Sequence, residues 1–266
     1  MKESGIGSQK IIRRKGDGEF EYLPDELTIE EPLEIRVGRK PIATTMRTPG
    51  HDEELAAGFL LSEGIVRARN QIASVSVNSE NRVVVELGDG VKPKLNSTKR
   101  FGTISSSCGL CGKTNIDAIR QNFSAVRSND IRIEIETLLA LPETLRNAQS
   151  DFARTGGIHA AGIFDMGGKL KIAREDIGRH NAVDKAIGRA FLDELLPLER
   201  HLLLVSGRAS FEIMQKALAA RVPIVCAVSA PSSLAVEFAE ANRQTLVGFL
   251  RGEGLNIYCG AERIIA

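Results

Sequence analysis

Two thiols stand three residues apart in Ser107-Cys108-Gly109-Leu110-Cys111-Gly112-Lys113. At that spacing they can close a disulfide, share a metal ion, or pass a sulfur atom from one to the other. The reactive form of a thiol is the thiolate, and a nearby cation lowers its pKa, so Lys113 is a candidate activator. Small neighbours leave a sulfur exposed to more than one partner. A closed structural zinc site takes four ligands, commonly from two such pairs, and this chain has one pair. Cys226, inside the apolar run 222–228, and Cys259, after Tyr258, read as small structural residues. A thioredoxin-like dithiol calls for a βα unit ahead of the pair, which the pattern lacks. Sulfur carriage or redox chemistry therefore leads, with zinc binding and an inert loop still open.

Other segments gather groups that hold anions. Ser206-Gly207-Arg208, Ser229-Ala230-Pro231-Ser232-Ser233 and Arg251-Gly252-Glu253-Gly254 offer two guanidinium forks, hydroxyls, and glycines where a backbone can come close. Capped helices and tight turns would explain any one of these segments as well. Glu175-Asp176-Ile177-Gly178-Arg179-His180-Asn181-Ala182-Val183-Asp184-Lys185 is far more polar than a helix cap requires, and Thr155-Gly156-Gly157-Ile158-His159 adds a second histidine. These runs read either as a capped helix start with solvated charges or as a ligand-facing wall. In the second case His180 works near neutral pH and Arg179 pairs with phosphate.

The elements around these residues change character along the chain. The first ~20 residues are polar and suggest a loose arm. Residues 33–37 and 42–46 read as a hairpin, Thr48-Pro49-Gly50 opens a helix that runs to Gly64, and residues 72–77 and 82–87 are β-rich. Residues 101–115, dense in Ser, Gly and Cys, have the composition of a flexible exposed loop. Leu138, Leu141 and Leu145 predict a helix over 137–152. Beyond it come a hairpin with the turn Asp165-Met166-Gly167-Gly168, a helix bearing Val183, Ile187 and Phe191, and then alternation: strand 202–205, helix 210–220, strand 224–228, helix 232–242, strand 246–250. Such alternation with all-apolar strands predicts parallel central strands covered by helices on both faces, with ligands beyond the strands' carboxyl ends. There Ser206, Gly207, Arg208, Ser229 and Arg251 would meet. The class is α/β, α+β overall: a small α+β unit over residues 1–148, ending in the cysteine loop and a linking helix, and a layered α/β unit over 149–266.

Lys and Arg (35) nearly balance Asp and Glu (34) in 266 residues, so no global field draws the chain to nucleic acid or to an anionic membrane. No apolar run approaches the ~20 residues that cross a bilayer, and the polar start lacks a signal-peptide core. The expectation is a soluble, cytoplasmic protein.

In combination and order, several motifs resemble the formate dehydrogenase accessory sulfurtransferase (FdhD) family. They are Arg47-Thr48-Pro49-Gly50 with Gly58-Phe59-Leu60, the Cys108-Gly109-Leu110-Cys111-Gly112 loop, the polar runs at 155–159 and 175–185, Ser206-Gly207-Arg208, and Ser229-Ala230-Pro231-Ser232-Ser233-Leu234-Ala235. The resemblance implies a sulfurtransferase that takes sulfur from a cysteine desulfurase and gives it to the bis-molybdopterin guanine dinucleotide form of the molybdenum cofactor, for a formate dehydrogenase apoenzyme. It implies a cytidine-deaminase-like second unit and a homodimer. Cys108 matches the family's persulfide residue and Cys111 its second cysteine. Phe249, Leu250, Arg251, Gly252, Glu253 and Gly254 match its cofactor-contacting segment. Two rival functions differ in chemistry. A zinc deaminase needs a Glu two residues after its His and a Pro before its first Cys; Ala161 and Ser107 stand there, and no zinc is expected. A non-enzymatic chaperone would hold the cofactor without turning over sulfur.

Overall fold

The computed structural model describes residues 5–78, 81–91, 123–127 and 130–265. The expected loop at 101–115, with Cys108 and Cys111, lies outside the described residues.

Polar residues near the start form a two-stranded antiparallel hairpin, β1 (Ile6–Arg13) with β2 (Glu21–Thr28), where a loose arm was expected. Their sequence lacks alternation because the hairpin has no buried face of its own. An Arg13–Asp25 ion pair at 3.2 Å crosses it, and a Thr28–Thr155 hydroxyl bond at 2.9 Å with an Arg154–Glu26 ion pair ties it down.

A four-stranded sheet follows, in the order β4-β3-β6-β5: β3 (Glu31–Val37), β4 (Lys40–Arg47), β5 (Ile72–Asn78) and β6 (Arg82–Leu87). Alternate residues Leu33, Ile35, Val83 and Val85 point inward. The connecting helix α1 (Asp52–Ser62) buries nearly every position: Leu55 to Leu61 are apolar or small, and the buried Asp52 and Glu54 pair with Arg47 and Arg174.

After a short strand β7 (Ile133–Glu134), the second half is built on a six-stranded sheet. Its strands are β8 (His159–Asp165), β9 (Leu170–Asp176), β10 (His201–Val205), β11 (Ile224–Ala227), β12 (Thr245–Arg251) and β13 (Gly254–Cys259), in the order β13-β12-β11-β10-β8-β9. The three central strands β10, β11 and β12 are parallel, as expected from their apolar runs. Side-chain alternation divides the core. Leu203, Val205, Val225 and Ala227 join one cluster with α4 (Arg179–Leu192), α5 (Phe211–Ala219) and α6 (Ser233–Ala241). Leu202, Leu204, Ile224 and Cys226 join the other with Leu138, Leu141 and Leu145 of α2 (Ile135–Asn147). The single helix expected over 137–152 is two, because the chain turns at Gln149 before α3 (Ser150–Thr155).

The first cluster runs unbroken from Leu33 to Leu246, through the crossing of α1 and α4. At that crossing Gly58 faces the Asp184 carbonyl and Gly188 faces that of Glu54, so backbone meets backbone. No helix among the described residues is long and apolar enough to cross a membrane.

Candidate functional site

The polar run 175–185 divides in space. Asp176, at the end of β9, is fully buried. One of its oxygens accepts from Gly178 N (2.8 Å) and Asn181 Nδ2 (3.0 Å). The other accepts from Thr48 N (3.2 Å) and pairs with Lys185 Nζ at 2.7 Å. Lys185 also donates to Thr48 O (2.8 Å), and Asn181 to Met46 O (2.8 Å). Asp184 pairs with Lys216 at 2.6 Å and accepts from Ser62 Oγ at 2.9 Å; burial pushes its carboxyl upward against the opposing pull of Lys216. Glu175 accepts the free N–H groups of Asp151 and Phe152 at the start of α3. These side chains form a buried joint between the N-terminal segments and α4. The solvated-charge reading fails for them, and so does a ligand-facing one.

Arg179 and His180 remain, in the first turn of α4. His180 is 6% exposed. Its Nε2 lies 3.1 Å from Ser210 Oγ and 3.5 Å from Glu212 Oε2, while Nδ1 is buried without a partner among the described residues. Burial, then the charges of Lys216, Arg179 and His159, pull its pKa down to about 2, so the ring is neutral at physiological pH. Burial and Arg179 lower His159 as well.

At the carboxyl end of β10, Ser206 Oγ accepts from Ala160 N (2.9 Å) and so locks this loop to the start of β8. A Cβ on Gly207 would stand 3.3 Å from His159 Nδ1 and 3.7 Å from Arg179 Cδ, which places the glycine against both side chains. Arg208 is exposed beside them. A cleft of about 660 Å3 opens here on the α2 side of the sheet, lined by Arg146, Gln149, Phe152, His159, Ser206 and Val228 among others. The Arg146 guanidinium lies 3.9 Å from the centre of the Phe152 ring, a flat cationic surface of the kind that takes a base or a phosphate.

The neighbouring strand end continues this edge. Ser229 O accepts from Phe249 N at 3.1 Å, and Phe249 takes φ 52°, a left-handed conformation unusual for a bulky side chain. A register shift between Gly248 and Arg251 accommodates it. The Arg251 guanidinium then sits 5.6 Å from the Phe249 ring centre, and Gly252-Glu253 makes the two-residue turn into β13, with Gly252 at φ 57°. Arg251, Gly252, Glu253 and Gly254 are exposed, whereas the Leu250 side chain is buried in the core and offers only backbone.

Thus Ser206 and His159 line the cleft, Gly207 packs against His159 and Arg179 with Arg208 exposed next to it, and Ser229 with residues 249–254 forms the neighbouring strand end; His180 lies buried against Ser210 and is not among the residues that line the cleft. Arg146 and Phe152 were missed in the sequence. They flank a chain reversal that helical periodicity does not announce, although an arginine six residues before an aromatic was there to be read. Of the cysteines, Cys226 is fully buried, which pushes its thiol up to about 12; Cys259 is half-buried, raised by burial, and donates to Gln244 O. Neither is a thiolate at neutral pH.

The FdhD/NarQ family model matches residues 28–265. A Streptomyces coelicolor protein named sulfur carrier protein FdhD is 48% identical over 267 aligned residues, covering 96% of this chain and 94% of the relative. A Mycobacterium tuberculosis protein of the same name is 50% identical, over 91% and 92% of the two chains. A crystal structure from Desulfotalea psychrophila, described as that of a formate dehydrogenase accessory protein, superposes with a TM-score of 0.80 over 98% of this chain and all of that one, at 23% identity.

Proposed function

Because the chain belongs to the FdhD/NarQ family, we propose that it is a sulfurtransferase that carries sulfane sulfur on Cys108 and delivers it to the molybdenum cofactor in its bis-molybdopterin guanine dinucleotide form. The relatives named as sulfur carriers support the activity. The residue assignment rests on the resemblance of the Cys108-Gly109-Leu110-Cys111-Gly112 motif to the family's cysteine pair, and it is supported by burial, which raises the thiols of Cys226 and Cys259. The donor is a cysteine desulfurase. Its persulfide presents a terminal sulfur; the Cys108 thiolate attacks that sulfur, the donor's S–S bond breaks, the donor leaves as thiolate, and Cys108 becomes the persulfide. Sulfur moves at an unchanged oxidation level, so the step requires no external oxidant. Cys111 can then release the terminal sulfur as sulfide by attacking the Cys108 sulfur, which leaves the two joined as a disulfide that a thiol reductant reopens before the next load.

The acceptor belongs at the carboxyl ends of β10, β11 and β12, in the layered, cytidine-deaminase-like unit over residues 149–266. Phosphates suit Arg208, Arg251 and Arg179, whose forks pair bidentately with them. The left-handed Phe249 and the flat Arg146–Phe152 pair supply faces for a guanine, and backbone approaches at Gly207, Gly252 and Gly254. His180 Nδ1, buried and without a partner among the described residues, supports a polar group of the ligand nearby. The protein acts in the cytoplasm on behalf of a formate dehydrogenase apoenzyme. It works as a homodimer, a reading supported by Phe20 and Tyr22, 69% and 82% exposed on a hairpin that buries little by itself.

Mass spectrometry after incubation with a cysteine desulfurase and cysteine should find one added sulfur on Cys108, and Cys108→Ala should mature no formate dehydrogenase. A variant that matures the enzyme at the normal rate ends the carrier assignment. GDP titrated by calorimetry should bind wild type and bind Arg251→Ala about ten- to a hundredfold more weakly, as loss of one charge-assisted contact predicts. If wild type does not bind GDP at millimolar concentration, the nucleotide site is wrong. If the cofactor binds but Cys108 never carries sulfur, the protein is a holder of cofactor.

A further inference from the structure

A second cleft, of about 580 Å3, lies at the other end of the parallel strands. Leu196 and Arg221 in its lining precede β10 and β11, whereas the cofactor rim follows them. Both ends of the described chain around residues 92–122 reach it. On one side Gly88 N donates to Gln71 O (2.9 Å), Val91 N donates back to Gly88 O (3.1 Å), and a Cβ on Gly88 would stand 3.4 Å from the carbonyl of Asn70, a lining residue. On the other side Arg221 Nη1 donates to Ser124 O at 2.7 Å, and Val126 N to Asn242 O at 3.0 Å, just before β12. Gly88 and Ser124 thus each stand against a residue of this lining, Asn70 and Arg221 respectively.

The lining is cationic over an apolar floor. Arg221 is engaged by Glu199 at 3.2 Å. Arg69 donates from Nη1 to Ile72 O (2.7 Å), and its Nε is buried with no partner among the described residues. Arg67 is exposed, and Glu194 is the one carboxylate among the lining residues. Phe191, Leu196 and Pro197 provide the floor. An occupant that satisfies both surfaces carries a carboxylate beside an apolar side chain.

We propose that this cleft docks an acidic, apolar-containing segment of the protein that donates sulfur. The proposal rests on the reading of Cys108 as a carrier. A protein segment fits better than a free anion because the floor of Phe191, Leu196 and Pro197 calls for apolar side chains beside the carboxylate that Arg67 and Arg69 attract. Charge complementarity of this kind acts on encounter and falls with ionic strength.

The test measures binding of a cysteine desulfurase to the full-length protein by biolayer interferometry, in wild type, Arg67→Glu, Arg67→Lys and Lys10→Glu. Lys10→Glu makes the same charge change on the exposed side of β1. Arg67→Glu should weaken binding about tenfold, Arg67→Lys and Lys10→Glu should stay within about twofold of wild type, and wild-type binding should fall between ~50 and ~500 mM salt. A separate arm loads Cys108 with sodium polysulfide, which needs no docking, and reads the added sulfur by mass; wild type and Arg67→Glu should load equally. Equal desulfurase binding by wild type and Arg67→Glu, equal weakening by Lys10→Glu, or no binding by wild type overturns the docking site. Failure of polysulfide to load wild-type Cys108 overturns the carrier reading instead.

Discussion

Replacing Gly58 by alanine sets two effects against each other. In the middle of α1, helix propensity favours alanine by about 1 kcal/mol. The added Cβ, however, would stand 1.9 Å from the carbonyl oxygen of Asp184 and 2.7 Å from its carbonyl carbon. That neighbour is α4 backbone and cannot rotate away. Restoring an ordinary contact near 3.4 Å means parting the helices by roughly 1.5 Å. The same movement opens the facing contact of Gly188 on Glu54 and stretches the 2.9 Å bond from Ser62 to Asp184. Overpacking against rigid backbone costs about 3 kcal/mol, and the stretched buried hydrogen bond about 1 kcal/mol more. Less the propensity gain, the net loss is about 3 kcal/mol. In a chain of this length each kcal/mol moves the midpoint by about 2–4 °C, so Gly58→Ala should melt roughly 6–12 °C below wild type in scanning calorimetry. A variant melting at or above wild type would mean that propensity wins and that the crossing is looser than its geometry states.

Three further outcomes follow from the same structure. Asp176→Asn leaves Lys185 charged and buried without its counter-ion, and should lower unfolding free energy by about 3–5 kcal/mol in urea titrations; an unchanged midpoint refutes the joint. Phe249→Gly relieves about 1 kcal/mol of left-handed strain while removing the ring beside Arg251, so the melting temperature should hold within a few degrees as GDP affinity falls; unchanged affinity takes Phe249 out of the site. His180, held near a pKa of about 2 against 6.5, binds its proton only when unfolded across the window between those values, so stability should fall as pH drops below about 6.5, by roughly 2 kcal/mol at pH 5 from this group. His180→Gln should flatten that slope by about 0.7 proton on average between pH 7 and 5, approaching one proton near pH 5, and an identical slope would show that other groups set it.

Patterns that depend on near neighbours were legible in the sequence. The apolar runs of β10 and β11 announced parallel strands, and Asp165 announced the turn where its Oδ1 takes Gly167 N and Lys169 N at 3.0 Å each. What escaped depends on partners far along the chain. The hairpin β1–β2 is polar on both faces and is held by Thr155 and Arg154, so alternation could not reveal it. Leu250 looks like a rim residue beside Arg251, but the bulge after Gly248 shifts the alternation by one and turns its side chain onto the face of Val247. The run at 175–185 was legible as dense but not as divided, because the strand end and helix start give Asp176 and Lys185 to Thr48, more than a hundred residues away, and turn His180 onto Ser210.

That division has a mechanical consequence for the cleft. Asp176 holds Gly178 N and Asn181 with one oxygen, and Lys185 and Thr48 with the other, so it grips both sides of Arg179 and His180. Moving His180 would require α4's first turn to shift against a buried ion pair and several hydrogen bonds at once, each expensive to leave unmade in a dry interior. The side chains with unmet or exposed polar groups, His180 Nδ1, Arg208 and Arg251, are thus carried by segments whose backbones are already satisfied: Gly178 N by Asp176, Ser206 N by Ala160 O, and Phe249 N by Ser229 O. At the proposed site a ligand would meet groups fixed before it arrives, and the ordering cost that weakens a flexible site would already be met by folding. On that reading the joint, which touches no ligand, would govern affinity through position. Its loss should weaken GDP binding in Asp176→Asn even at temperatures where the fold persists.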